Sequence, residues 1–323
     1  MDPRRFCTQT RLVVVAGKGG VGKTTVSAAL ARMAARAGLS VLIVEVEGKT
    51  GLAAAFGAED LEYQERVLDP GGPDGTAEIR ARALTPDNAL VEYLEDHGLG
   101  RVSRRLAKSG AIDVVSTAAP GIKDILILGK VKQLERSGAF DLIVLDAPAA
   151  GHAVSFLMSA RGLLEIVRGG PLRTQAEEVL ELLTDPSRCR VMLVTLAEET
   201  PVNEVVETAF ALEDRVGVDL APVVVNGLYP RLEGLDADPE AAAAAAGVNL
   251  LPGEPDVLRR AADFRARRQD LQDEQLARLA AALPLPQLHL PSLFAVDLGS
   301  AEVDRLADAL EAGVGALPVA VPE

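Results

Sequence analysis

Residues Arg11 to Arg36 read RLVVVAGKGGVGKTTVSAALARMAAR, and the order of the three parts in this stretch decides the fold. The apolar, β-branched run from Arg11 to Ala16 predicts a buried strand, and the residues from Lys23 to about Arg36 predict a helix that Gly38 stops. Between them, Gly17-Lys18-Gly19-Gly20-Val21-Gly22-Lys23-Thr24 fits the pattern G-x-x-x-x-G-K-[ST] in the strand–loop–helix setting that the pattern requires. Each residue type has a physical reason. Glycines let the loop curl so that successive main-chain N–H groups converge on phosphate oxygens, and the helix N-terminus adds its partial positive charge. Lys23 brings a full charge to the β- and γ-phosphates of a nucleoside triphosphate; the Thr24 hydroxyl is placed to ligate Mg²⁺, and Thr25 to touch the α-phosphate.

Working outward, Val41 to Glu45 reads as a second buried strand one helix-length on, the rhythm of a parallel sheet. From Gly48 to Gly138 the pattern reads as helical segments with polar breaks: Asp69 to Pro73 is turn-rich, and Thr85 caps a helix that has Pro86 at its first position. Phe140 to Leu145, Arg190 to Thr195 and Ala221 to Asn226 resume the sheet, with a helix starting near Pro201. The run Ala241 to Ala246 and the charged stretch Val257 to Ala282 favour helix, Gln287 to Leu290 a last strand, and Ser300 to Leu310 a closing helix capped by Ser300. The expected fold class is α/β: a P-loop NTPase with a mostly parallel central sheet flanked by helices and a helical insertion subdomain. A single domain over residues 1–323 is expected, with helical insertions at about 50–138 and 153–188.

Composition narrows the function. At 48% hydrophobic and 25% charged, the 323 residues suit a large buried core rather than disorder. No window approaches the roughly 20 apolar residues of a membrane span, so the cytoplasm is the expected compartment. A net charge of −14 disfavours nucleic acid as a partner. Cys7 and Cys189 have no metal-ligand spacing and read as ordinary reduced thiols.

Further residues join the loop as site candidates. Asp146 stands at the carboxyl end of a strand, where open parallel sheets bind ligands, and can hold Mg²⁺ beside Thr24, partly through water. Asn226 ends another strand, as a simple strand-end cap or as a base-recognising amide. Lys18, directly after the first glycine, is a solvent-exposed loop lysine or one that reaches a nucleotide held by a second subunit.

The stretch G-K-G-G-V-G-K-T-T resembles the deviant Walker A loop of the ATPase family containing ArsA, the tail-anchored-protein targeting ATPases, MinD, ParA and nitrogenase iron protein. That resemblance implies an ATP- and Mg²⁺-dependent ATPase whose Lys18 acts across a dimer interface. The stretch Asp146 to His152 resembles the D-T-A-P-T-G-H switch of the ArsA and targeting branch; Gly151 is then a hinge whose amide senses the γ-phosphate, and His152 a conformational element of the switch. Glu47 falls on the branch aspartate that orients the attacking water, with Gly48 in place of its proline; this implies slow hydrolysis, and Glu45 is the fallback. V-V-V-N makes Asn226 the adenine-binding asparagine, with Pro291 to Phe294 as the pocket's other wall, and Pro120 to Asp124 resembles the P-G-x-x-E segment.

The resemblance covers about Arg11 to Leu310 but fails at the cargo end. Two cysteines do not make an arsenite thiolate site, Gly227 to Glu240 carries no cysteine for an intersubunit zinc, and of the methionines only Met158 lies where it can line a groove. The expectation is therefore a dimeric switch, as a homodimer or with a paralogous ATPase, coupling ATP-driven closure to a partner. Two other readings stand beside it. One is a membrane-protein targeting chaperone in which Leu126 to Leu128 and Phe156 to Leu164 expose an apolar groove to a hydrophobic client when ATP is bound; the same stretches also read as the core faces of amphipathic helices. The other is a MinD- or ParA-type positioning ATPase, which the acidic tail Asp304 to Glu323 disfavours.

Overall fold

The computed structural model describes residues 1–46, 51–96, 121–148 and 150–318. In chain order these form α1 (Pro3–Cys7), β1 (Leu12–Gly17), α2 (Lys23–Arg36), β2 (Val41–Val46), α3 (Gly51–Ala55), β3 (Arg66–Asp69), β4 (Ile79–Leu84) and α4 (Pro86–Asp96). There follow α5 (Ile122–Ser137), β5 (Leu142–Asp146), α6 (Ala150–Ile166), α7 (Pro171–Thr184), β6 (Cys189–Leu196) and α8 (Glu199–Arg215). The chain closes with β7 (Val223–Leu228), α9 (Pro239–Ala245), α10 (Glu254–Ala282), β8 (Gln287–Pro291) and α11 (Ser300–Ala316).

Eight strands make one sheet in the order β3-β4-β2-β5-β1-β6-β7-β8, all parallel except the edge pair β3–β4. β1, β2 and β5 are buried along their whole length, which is why they read as continuous apolar runs rather than alternating ones. Alternate residues of β1 serve two cores: Leu12, Val14 and Ala16 face the layer of α5, α6, α7 and α8, while Val13 and Val15 face that of α2 and α11. In α2 the buried alanines 28, 29, 31, 34 and 35 let the helix lie close on the sheet, with Val26, Leu30 and Met33 filling the space between. These residues fix the helix start, and so the loop before it, to a rigid base.

Two expectations change, and one alternative is decided. The interval 50–138 is not purely helical, because β3 and β4 belong to the main sheet. In β4 the buried Ile79, Ala81 and Ala83 alternate with arginines, and Arg82 is kept in the interior by Glu65 and by the Tyr63 ring 4.6 Å away. Ser300 is the first residue of α11 rather than its cap: the Gly299 N–H donates to Glu302 at 3.1 Å, and Ser300 Oγ instead receives Arg32 at 3.2 Å. Of the two readings of the groove stretches, the core one holds for Leu126 to Leu128, Phe156, Leu157 and Leu163, which are buried where α5 packs against α4, α6 and α7. Thr85 does cap α4, accepting from the Asn88 N–H at 3.4 Å, and β8 and the alanine helix α9 form where expected. Among the described residues no helix is long and apolar enough to cross a membrane.

Cys7 and Cys189 are free and buried, and desolvation pushes both thiols up to about 12. Both should therefore resist iodoacetamide in the native protein at pH 8, yet react fully in denaturant. Rapid native labelling, read by mass spectrometry, would contradict this burial.

Candidate nucleotide site

The loop leaves β1 at Gly17, in register with Val194 of β6, and a Cβ at Gly17 would lie 2.3 Å from the Val194 carbonyl oxygen. Only glycine permits that approach. Gly20 (φ 86°) and Gly22 (φ 91°) are left-handed, and Gly22 is the N-cap of α2. Lys18, Gly19 and Gly20 are exposed while Val21 is buried and anchors the loop. Lys23 opens α2 as a buried residue and donates to the Lys18 carbonyl at 3.0 Å, so its ammonium lies inside the loop's curl. Thr24 and Thr25 follow, half-buried.

Strand order brings the carboxylate to this loop. β5 runs between β1 and β2, placing Asp146 level with Val15 on one side and Glu45 on the other. Asp146 and Glu45 are both fully buried. Thr24 Oγ1 donates to Asp146 Oδ2 at 2.7 Å, and Ser27 Oγ donates to Oδ1 at 3.5 Å. The spacing of Thr24 and Ser27, three apart on one helix face, could have revealed Ser27 from the sequence. A hydroxyl and a buried carboxylate beside a phosphate loop form a hard oxygen donor set that fits Mg²⁺, which keeps most of its shell for water and phosphate. Among the described residues no group of three or more His, Cys, Asp or Glu side chains can hold a metal.

Two side chains brace the loop. Lys18 is 44% exposed in its side chain and is ion-paired to Glu204 of α8, a partner the sequence did not reveal. Asn226 Nδ2 donates to the Val21 carbonyl at 2.9 Å, and a Cβ at Gly22 would lie 2.3 Å from that same nitrogen. Asn226 thus sits against the glycine loop at a strand end. The end of β8 is close by: Ser292 N–H donates to the Leu228 carbonyl at 2.7 Å, and Phe294 (φ 51°) packs on Tyr229 with ring centroids 5.2 Å apart and the planes tilted by 56°. Arg265 of α10 covers both rings, at 4.5 Å from Tyr229 and 5.1 Å from Phe294. Gly151 and His152 lie in the first turn of α6; Glu47, Gly48, Pro120 and Ala149 lie outside the described residues.

The comparisons agree with this geometry. Residues 10–168 match the model of a family described as anion-transporting ATPase. ATPase BagA of Mycobacterium tuberculosis is 34% identical over 90% of this chain and 90% of its own length. The chain belongs to the anion-transporting ATPase family. Other members match less of it. A Halobacterium salinarum protein provisionally named an arsenical pump-driving ATPase is 28% identical over 71% of this chain and 37% of its own length. ATPase get3 of Schizosaccharomyces japonicus is 31% identical over 46% and 44%, respectively. In this member of the family the glycine loop is the candidate nucleotide-binding element.

Gly22 offers a test of how tightly this loop is built. The Gly22→Ala variant should lose at least tenfold in nucleotide affinity, because a left-handed φ costs a non-glycine residue about 1–2 kcal/mol and the new Cβ displaces the Asn226 amide. Adding Asn226→Ala should relieve the collision and leave the backbone strain. Fluorescent-nucleotide titration reads both; unchanged affinity in Gly22→Ala would refute the tight packing.

Proposed function

We propose that this chain binds and hydrolyses Mg-ATP as a two-subunit switch, in which ATP draws two nucleotide faces together, hydrolysis releases them, and the motion is passed to a partner protein. The observation that carries the reading is the bond from Thr24 to the buried Asp146 at the mouth of a glycine loop. In the triphosphate state Lys23 and the loop amides neutralise the β- and γ-phosphates, while Thr24 and Asp146 would hold Mg²⁺, which offsets the charge that develops on the phosphate oxygens. Asn226, held by Val21, keeps its amide oxygen as an acceptor for the adenine amino group, and the Tyr229–Phe294 platform lies beside it.

Glu47 is the proposed water-orienting carboxylate and Gly151 the γ-phosphate-sensing amide. Lys18 acts in trans: it stands exposed, on Glu204, outside the curl that Lys23 fills. The whole of residues 1–323 works as one ATPase unit in the cytoplasm, paired with its own copy or with a paralogous ATPase. The targeting-chaperone reading is weakened because its groove residues are buried in the core.

Solution mass measured with and without Mg-ATP tests the switch. Doubling with Mg-ATP is expected, with return to monomer as ATP is consumed. A protein that stays monomeric in every nucleotide state, alone and with a co-expressed paralogue, would reject it.

A further inference from the structure

The hairpin of α9 and α10 does no work for the core that its length would require. α10 is 29 residues long, yet its buried side chains, Gln272, Gln275 and Leu279, all lie in its second half, and α9 buries none. The second half is fixed to the start of α8 through Arg268–Glu198 and Arg278–Asn203, and α8 begins at the carboxyl end of β6, the end of the sheet that carries the glycine loop. The first half of α10 therefore runs outward past the nucleotide face. From Arg265 back to Glu254 it extends about 16 Å at 1.5 Å per residue.

One side of this arm has a consistent chemistry. Val257, Arg260, Phe264, Arg267 and Leu271 recur at three- and four-residue intervals, so they share a stripe. Val257 is 63%, Phe264 66% and Leu271 38% exposed, and both arginines are exposed. Among the described residues neither Arg260 nor Arg267 makes a salt bridge, whereas Arg259, off the stripe, is taken by Asp238 and Asp256. Val257 to Arg268 holds five arginines and one aspartate in a chain whose net charge is −14. An apolar, cationic stripe is thus held in front of an acidic body, on the face through which two nucleotide sites would meet.

We propose that this stripe docks on the acidic surface of a second copy of the chain, so that each subunit's arm embraces its partner when ATP closes the dimer. The inference rests on the dimeric reading and names the element that holds the dimer. The stripe's place beside the face through which two nucleotide sites would meet favours a second copy as its occupant, and its cations complement that copy's net negative charge. Apolar side chains spaced between the cations supply the desolvated contacts that give such a surface its affinity.

The test is the variant Arg260→Glu/Phe264→Ser/Arg267→Glu, which alters only exposed positions and should keep the parent's melting temperature. With magnesium and a non-hydrolysable ATP analogue, sedimentation equilibrium should show the parent as a dimer and the variant with a dimer dissociation constant raised at least tenfold; raised salt should weaken the parent. If the variant dimerises as tightly as the parent, the arm is not the docking element and the dimeric reading survives. If the parent binds Mg-ATP calorimetrically yet stays monomeric alone, docking on a second copy falls; if it also stays monomeric with a co-expressed paralogue, the dimeric reading falls with it. Parent protein that co-sediments with phosphatidylserine vesicles, and loses this in the variant, would assign the stripe to lipid and overturn the second copy as its occupant.

Discussion

Lys23→Ala should lose ATP binding by at least a hundredfold while keeping its fold. The ammonium is buried within the loop, 3.0 Å from the Lys18 carbonyl, at the point where the phosphates would lie. Removing it deletes a full charge and its charge-assisted bonds to the triphosphate, worth about 3 kcal/mol together, which is the hundredfold loss. It also frees the Lys18 carbonyl, so the empty loop should become more mobile without the sheet melting. Titration with a fluorescent ATP analogue, alongside far-ultraviolet circular dichroism, checks both. Affinity within threefold of the parent would show that this loop is not the phosphate site.

Lys18→Ala should separate binding from turnover. Lys18 lies outside the curl and rests on Glu204, so the loss of its side chain leaves the in-chain phosphate contacts intact, and ATP affinity should change by less than about threefold. If the lysine enters the partner's site as a cation at the transferring phosphoryl group, hydrolysis should fall by about a thousandfold, the lower end for a charge supplied in trans. Mixing Lys18→Ala in equal amount with a chain that is Lys23→Ala should recover roughly a quarter of the parental sites, since half of the dimers are then mixed and each has one complete site. Normal turnover in Lys18→Ala, or no recovery on mixing, would rule out the trans role.

The phosphate loop was legible because its determinants are local: glycines, Lys23 and Thr24 are adjacent in the chain, and β1 and α2 on either side are strongly patterned. Asp146 was legible for the same reason, standing at the end of an apolar run. The strands β3 and β4 were not, since β4 places arginines at alternate positions and alanine at its buried ones, and β3 is a four-residue edge strand. Glu204 and the brace from Asn226 to Val21 were hidden because they join residues 186 and 205 positions apart. Only the adjacency of β6 and β7 to β1 brings them to the loop, and strand order is not written in any local pattern. The run Leu126 to Leu128 was legible only as an apolar helix face, which suits either a groove or the core, and the packing of α4, α6 and α7 on that helix places it in the core.

The central claim is that the loop from Gly17 to Thr24, with Asp146, grips a magnesium–nucleoside triphosphate. Isothermal titration of the purified chain with Mg-ATP measures this directly. One site per chain is expected, together with a marked loss of affinity when EDTA removes the magnesium. No heat on titration, or equal affinity with and without magnesium, would contradict the account.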